Sequence, residues 1–226
     1  MCGRYCLSAP AETIVEVFGI DRLPEYLPRY NIAPTTPILG IRAQNELRSA
    51  STFRWGLIPF WADNPKGTAP LINARSETAH TKPSFKAALQ HRRLLLPVSG
   101  FFEWVRDGAQ KTPFYFQPNH GELFAFGGLW ERWFDLDGTE VQSATILTTA
   151  ANTMMQPYHH RMPVIVPEAH WAEWLDPKIK HTQLNPTIME PAPDPFLRAT
   201  QVTAHVNRVA NQGPECVHPA SEVSAE

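Results

Sequence analysis

The chain has 226 residues, of which 43% are hydrophobic and 19% charged, and its formal net charge is −2. This length is sufficient for one domain with its own hydrophobic core. The composition excludes a disordered chain, and no apolar run approaches the roughly 18 residues of a membrane-spanning helix. Because no basic segment followed by an apolar stretch opens the sequence, we expect a reducing, cytoplasmic location in which the three cysteines stay unpaired.

Most of the predicted elements are strands. Apolar periodicity and well-placed prolines predict three short helices, over 10–18, 83–91 and 167–175. Short apolar runs between turn residues predict strands at 38–42, 52–58, 94–98, 113–117, 123–130, 144–149, 163–166 and 201–206. The 22 prolines, spread along the chain, fit many turns and short strands. The sequence therefore predicts a β-rich α+β domain over residues 1–217 and a disordered tail over 218–226.

The two halves of the chain differ in charge. Residues 1–113 carry 14 basic and 9 acidic side chains, whereas residues 114–226 carry 6 basic and 13 acidic ones. Arginine supplies 14 of the 20 basic residues, which favours bidentate contacts with phosphate or carboxylate groups. Scattered, solvated salt bridges would explain this composition equally well. Composition alone leaves both interpretations open.

The second residue, Cys2, becomes an N-terminal cysteine if Met1 is removed. Its α-amine, with a pKa of about 7.7–8.0, and its thiol, with a pKa of about 8.5, are then both available near neutral pH. An amine condenses with an aldehyde to an imine, and the nearby thiol can close a stable thiazolidine ring, so an aldehyde is the natural partner. A small core residue is the commoner role of such a cysteine. We expect Cys6 and Cys216 to be structural, and the cysteine spacing predicts no zinc site.

Four further polar residues occupy positions that simple packing does not favour. Glu103 lies among aromatic residues, so it is either a desolvated carboxyl group suited to proton transfer or a polar residue on the wet face of an alternating strand. Asn73 lies between an apolar pair and an arginine. His159 and His160 are adjacent, so we expect their rings to point to different faces, and a structural role is the commoner one for such histidines.

Eight short segments together resemble the SRAP family, the SOS-response-associated peptidase or abasic-site processing proteins. They are MCGRY at 1–5, RYNIAPT at 29–35, RWGLIPFW at 54–61, LINARSET at 71–78, GFFEW at 100–104, LTTAAN at 147–152, HHRMPVIV at 159–166 and NQGPE at 211–215. The likeness covers about residues 2–217, and eight motifs in the family order make it specific. It implies a single domain of mixed, barrel-like sheets flanked by a few short helices.

The resemblance implies a protein that forms a covalent crosslink with abasic sites in single-stranded DNA through Cys2. The cysteine would close a thiazolidine on the ring-opened sugar aldehyde. The resemblance leaves room for self-processing peptidase and lyase activities. It implies that Glu103 moves protons during sugar opening and imine formation, that Asn73 orients the cysteine end and that His159, rather than His160, shuttles protons.

The resemblance also implies a set of DNA contacts. The expected backbone contacts are Arg4, Arg75, Thr148 and Arg161, and the residues expected to wedge or stack against bases are Pro34 and Trp61. Ala62 stands where close relatives often have a second tryptophan, which weakens the expected stacking, and Trp61 could instead be a core residue. We expect no cofactor, no metal, no membrane contact and a monomer whose partner is single-stranded DNA containing abasic sites.

Two other classes of function fit part of the sequence. Cysteine, histidine and asparagine also form the set of a thiol peptidase with an N-terminal nucleophile. A non-catalytic module that binds single-stranded nucleic acid would explain the arginines and aromatic residues but not Cys2, Asn73 or Glu103. Loss of a covalent product after Cys2→Ala, with DNA binding retained, would separate the crosslinking protein from the module.

Overall fold

Two β-sheets form the framework of the computed structural model, which describes residues 2–44, 47–63 and 69–221. The strands are β1 (Tyr5–Leu7), β2 (Arg29–Ile32), β3 (Pro37–Gln44), β4 (Leu47–Trp55), β5 (Asn73–Arg75), β6 (Arg93–Val98), β7 (Gly100–Asp107), β8 (Gln110–Pro118), β9 (Phe124–Phe134), β10 (Glu140–Ala150), β11 (Arg161–Pro163) and β12 (Leu197–Gln201). The first sheet is antiparallel, in the order β12-β8-β7-β1-β2.

The second sheet closes on itself. Its strands follow the order β10-β4-β3-β6-β9, and β9 pairs again with β10, which completes a five-stranded ring. Strands β4 and β5 run parallel to β10, whereas β11 and β9 run antiparallel to it. The predicted mixed, barrel-like sheets of a β-rich α+β domain are therefore confirmed, and closure leaves the ring without a free edge.

Within the described ranges, four short α-helices lie beside the sheets: α1 (Ala11–Phe18), α2 (Ser76–Ala79), α3 (Pro83–His91) and α4 (Trp171–Leu175). Helix α1 follows Pro10 and ends at Gly19, whose left-handed φ of 59° lets its N–H reach the carbonyl of Glu16. Its apolar face buries Ile14 and Phe18. Among the described helices, none has the length and apolar character needed to cross a membrane.

Aromatic side chains fill the space between the two sheets. The ring of Tyr5 on β1 meets Trp55 at a centroid distance of 5.4 Å and Phe126 on the closed sheet at 6.1 Å. Phe101 on β7 contacts Phe126 edge-on at 5.7 Å. These packed rings join β1 and β7 firmly to the barrel, so the start of the chain is fixed within the core.

Three of the predicted elements differ from the observed ones. The strand predicted at 201–206 is wrong, because β12 ends at Gln201 and residues 204–207 form a 3-10 helix. The strand predicted at 163–166 lies mostly outside β11, which stops at Pro163. The helix predicted at 167–175 consists of a 3-10 turn over 168–170 followed by α4. The predictions at 10–18 and 83–91 are confirmed within one residue.

Backbone pairing continues beyond residue 217, where the tail was predicted to begin. The amide of Thr203 donates to the carbonyl of His218 at 3.1 Å, and Pro219 forms an isolated bridge with Val202. The remainder of the predicted tail, residues 222–226, lies outside the described residues, and its disorder stays a prediction.

Candidate active site

Cys2 lies completely buried just before β1. Strand β1 pairs with β7 in a register that joins Tyr5 to Phe101, and the amide of Phe102 donates to the carbonyl of Arg4 at 3.0 Å. This antiparallel register brings the beginning of the chain beside Glu103. Burial raises the pKa of the Cys2 thiol, and the charge of Glu103 raises it further. The thiol is therefore neutral at physiological pH.

The side chain of Asn73 holds the cysteine from the other sheet. Asn73 begins β5, which is positioned by parallel pairing with Ile146 on β10. Its Nδ2 donates to the carbonyl of Cys2 at 2.9 Å. Its Oδ1 is buried and accepts no hydrogen bond within the described part of the chain. The predicted association of Asn73 with the cysteine end is present in the structure.

Glu103 is only 6% exposed, although it is an acidic residue on a strand. Strand β7 lies in the interior of the first sheet, between β1 and β8, where Glu103 pairs with Phe114. The prediction that Glu103 lies on the solvent-exposed face of its strand is therefore wrong, and the prediction of a desolvated carboxyl group is confirmed. Burial raises the pKa of Glu103. A carboxyl group with a raised pKa can hold a proton nearer to neutral pH than a solvated one.

His159 precedes β11 and is half-buried. Its Nδ1 lies 2.9 Å from the amide nitrogen of Arg161, from which the neutral, Nε2-protonated ring accepts, and 3.1 Å from the Arg161 carbonyl, to which a protonated Nδ1 would donate. Burial lowers the pKa of His159, which favours that neutral form. The expectation that the two adjacent rings diverge is wrong: His159 and His160 stack at a centroid distance of 4.3 Å, because the local turn does not alternate side chains as a strand would.

Arg4 is held by protein groups on several sides. Its Nη1 donates to Asn31 Oδ1 at 2.7 Å and to the carbonyl of Val206 at 3.1 Å, and its guanidinium lies 5.5 Å from the ring centroid of Trp104. Burial lowers the pKa of Arg4. Its assignment as a DNA contact stays a prediction, and its observed contacts position it beside the cysteine end.

Asn31 is a residue whose role the sequence did not reveal. It is fully buried, and its Nδ2 donates to three carbonyls of a distant segment, those of Val206, Arg208 and Asn211, at 3.2, 3.0 and 2.9 Å. Its Oδ1 accepts from Arg4. Its position in the segment RYNIAPT was a sequence signal, but that segment contains none of the carbonyl groups to which Asn31 donates. Asn31 therefore ties residues 206–211 to the arginine beside Cys2.

Three of the predicted DNA contacts meet at the edge of the barrel. The pairing of β5, β10 and β11 aligns Arg75 with Thr148, and Arg161 with Ala150, two residues further along β10. Arg75 is exposed, whereas Thr148 is fully buried. Arg161 donates to the carbonyl of Thr148 at 2.5 Å and forms a bidentate ion pair with Glu77, a residue that sequence analysis did not single out. The structure thus brings Arg75, Thr148 and Arg161 together, but Arg161 is already paired with Glu77 of the same chain.

The two residues predicted to contact bases lie on the surface. Trp61 is 53% exposed, so the alternative of a core tryptophan is wrong for this residue. It lines a cavity of about 440 Å³ together with Arg54 and Leu71. Pro34 is half-buried and precedes Thr35, whose φ of 68° places a sharp turn there. An exposed indole face is available for stacking, and the contact with a base itself stays a prediction.

The remaining cysteines belong to a separate small core. Cys6 and Cys216 are buried with Phe102 and Tyr115, and neither forms a disulfide. Burial raises the pKa of Cys6 to about 11, so this thiol is unreactive at neutral pH. Within the described residues, no three histidine, cysteine or acidic side chains are arranged to hold a metal ion.

The sequence matches a protein-family model and several known proteins over nearly its whole length. The family model described as SOS response associated peptidase (SRAP) matches residues 1–209. The chain belongs to the SRAP family. Abasic site processing protein YoqW, a SRAP relative from Bacillus subtilis strain 168, is 39% identical over 221 residues, which cover 96% of this chain and 99% of YoqW. Abasic site processing protein YedK of Escherichia coli K12 is 31% identical over 230 residues, covering 97% of this chain and all of YedK.

The SRAP fold is also present among solved structures. The crystal structure of a protein from Bacteroides thetaiotaomicron matches with a TM-score of 0.84 and 25% identity, covering 96% of this chain and 99% of that one. The family resemblance that the eight motifs indicated is therefore confirmed, and so is the fold it implied.

Proposed function

We propose that this SRAP protein captures abasic sites in single-stranded DNA covalently through Cys2, once Met1 has been removed. The observation that carries the proposal is the setting of Cys2: the Asn73 amide donates to its carbonyl at 2.9 Å, and the buried Glu103 lies close enough to affect the pKa of its thiol. The names of its relatives YoqW and YedK, both abasic site processing proteins, support the same substrate.

The proposed reaction uses both nucleophiles of the N-terminal cysteine. The α-amine attacks C1′ of the ring-opened sugar aldehyde, and the resulting carbinolamine loses one water to give an imine. Sγ then adds to the imine carbon while the thiol proton passes to the nitrogen, which closes a thiazolidine. One C–N and one C–S bond form, and the aldehyde oxygen leaves as water.

The state of the thiol favours this order of steps. A neutral, buried thiol with a raised pKa is a poor first nucleophile, whereas an α-amine has an ordinary pKa of about 7.7–8.0. The same state argues against a peptidase that attacks other chains with a Cys2 thiolate. We restrict the proposed peptidase activity to removal of Met1, and propose lyase activity as a slower fate of the imine.

Glu103 and His159 are proposed to move the protons. The Glu103 carboxyl, with its raised pKa, can donate a proton to the sugar oxygen during ring opening and to the departing hydroxyl of the carbinolamine. The neutral His159 ring can accept a proton only when Nδ1 or Nε2 has a free lone pair, and Nδ1 already accepts from Arg161. A neutral imidazole is not an acid near neutral pH, so His159 is proposed to donate a proton from Nε2 as the imidazolium and to become the neutral ring in that step.

The DNA strand is proposed to pass the end of the barrel at Arg75, beside the buried Thr148. Arg75 is exposed, which suits a contact between its guanidinium group and a phosphate. Trp61, also exposed, offers a flat face to any base. Arg4, Arg161 and Pro34 complete the proposed path, Pro34 as a wedge near the lesion.

The test is incubation of the purified protein, freed of Met1, with a single-stranded oligonucleotide containing one abasic site. We expect a protein-sized shift that survives heating without a reductant. An oligonucleotide whose abasic site has been reduced to the alcohol is the matched control, because it lacks the aldehyde. Absence of an adduct with the abasic strand, or an equal adduct with the reduced strand, would refute the proposal.

A further inference from the structure

The guanidinium of Arg161 already binds a carboxylate in a geometry that a phosphate would need. Its Nη1 donates to Glu77 Oε1 at 2.6 Å and its Nη2 donates to Glu77 Oε2 at 2.9 Å. This pair of parallel hydrogen bonds is the arrangement in which arginine binds either carboxylate or phosphate. Glu77 therefore occupies the end of the guanidinium that a DNA phosphate would use.

The other donors of Arg161 offer no second place for a bidentate phosphate contact. Nη2 also donates to the carbonyl and the hydroxyl of Thr148, at 2.5 and 3.2 Å. Nε is buried and has no acceptor among the described residues, so solvent and DNA cannot reach it. The guanidinium side chain as a whole is 11% exposed. A bidentate phosphate contact to Arg161 consequently requires that Glu77 leave.

Glu77 is placed so that it can leave. Its side chain is 48% exposed and lies in the short helix α2, whereas Arg161 is fixed by the β10 backbone. A carboxylate released from the pair would return directly to water, and the contact of Arg161 with Thr148 would remain. The hydrogen bonds from Arg161, helped by the charge of Arg75, lower the pKa of Glu77, so the carboxylate is ionised at neutral pH.

We infer that Glu77 is a specificity-determining residue, which competes with DNA phosphates for Arg161 and weakens reversible binding to undamaged strands; this inference rests on the proposed function. Each encounter with a strand must exchange the carboxylate for a phosphate, and an undamaged strand then dissociates. At an abasic site the thiazolidine retains the strand, so the competition lowers its final yield little. The competing carboxylate thus favours damaged over intact DNA.

The direct test measures equilibrium binding of an undamaged, fluorescent single-stranded oligonucleotide by anisotropy at low salt. Glu77→Gln keeps the size of the side chain and removes its charge. We expect binding tighter by roughly twofold to fivefold, the range that one partly exposed ion pair supplies. With excess undamaged strand as competitor, crosslinking by Glu77→Gln should also slow more than crosslinking by the wild type.

Two controls separate competition for Arg161 from a general change in charge. Glu140→Gln removes a carboxylate from another surface pair, with Arg132 at 3.6 Å, and should change binding less. In an Arg161→Ala background, Glu77→Gln should have only this smaller effect. The inference is overturned if Glu77→Gln binds no more tightly than Glu140→Gln, if it binds more weakly, or if its effect persists without Arg161.

This test stands apart from the test of covalent capture. The binding measurement uses intact DNA, so it does not depend on the chemistry of Cys2. Tighter binding by Glu77→Gln together with no adduct on abasic DNA would keep the competition and refute the crosslink. A normal adduct on abasic DNA, together with no tighter binding of intact DNA by Glu77→Gln, would keep the crosslink and refute the competition.

Discussion

Replacing Glu103 with glutamine should stabilise the fold and slow the reaction at the same time. Glutamine keeps the size of the side chain and one accepting oxygen but has no ionisable proton. Because Glu103 is 6% exposed and burial raises its pKa, the folded protein binds this proton more tightly than the unfolded chain does. The resulting stabilisation is present below the unfolded pKa of about 4.3 and is lost as pH rises through the folded value.

The raised pKa of Glu103 sets the size of the change in stability, and its role in proton transfer sets the size of the change in rate. At neutral pH, Glu103→Gln should be more stable than the wild type by about 1.4 kcal/mol for each tenfold increase in proton affinity that burial causes, and the difference should vanish near pH 4. Crosslinking should slow by roughly 10²–10⁴-fold if the carboxyl acts as a general acid and base. The rate transition of the wild type above about pH 4.3 should disappear in the variant.

Single-turnover crosslinking to an abasic oligonucleotide between pH 4 and 9, and urea unfolding over the same range, measure the two effects. Glu131 provides a matched control, since it is a second buried glutamate and is 4% exposed. It lies on β9 of the closed sheet and forms an ion pair with Arg92 at 2.8 Å. Glu131→Gln should keep the crosslinking rate in its folded fraction. Equal rates and equal pH profiles for the wild type and Glu103→Gln would refute the proton-transfer role.

Three further outcomes are expected. Cys2→Ser should lose the heat-stable adduct but still give an imine that borohydride traps, because a hydroxyl closes the ring far less favourably; a full adduct without reductant would exclude a thiazolidine. Asn73→Ala removes the 2.9 Å hydrogen bond to Cys2 and should slow single-turnover crosslinking by about threefold to tenfold, with the rate at saturating DNA as the decisive measurement. Arg75→Ala should reduce the slope of log affinity against log salt by about 0.7, and an unchanged slope would remove it from the DNA path.

Local sequence determined the elements whose ends are marked by individual residues. Pro10 and Gly19 delimit α1, and Pro83 opens α3, so both helices could be predicted. The predicted strand at 201–206 failed although Val202 and Val206 are both buried in the small second core, because the chain leaves β12 after Gln201 and turns into a 3-10 helix at Ala204 that buries Val206. Tertiary packing, which the sequence does not display, decides between them.

The sequence indicated the residues of the candidate site but few of the contacts between them. The resemblance indicated Asn73 because its motif is local, and the hydrogen bond to Cys2 is present. The burial of Glu103 depends on what covers its face of the first sheet, which alternation along one strand cannot reveal. The pairing of Arg161 with Glu77 joins residues 84 positions apart, and any acidic residue in the chain could have been the partner.

The hydrogen bonds of Asn31 and Arg4 to residues 206–211 have a consequence for biosynthesis. The N-terminus leaves the ribosome first, whereas the carbonyls that complete its surroundings are added about 200 residues later. Contacts of such long sequence separation form only when both partners are available. The surroundings of Arg4 therefore remain incomplete for nearly the whole of translation, and self-removal of Met1, where it needs the completed site, has to follow the synthesis of residues 206–211.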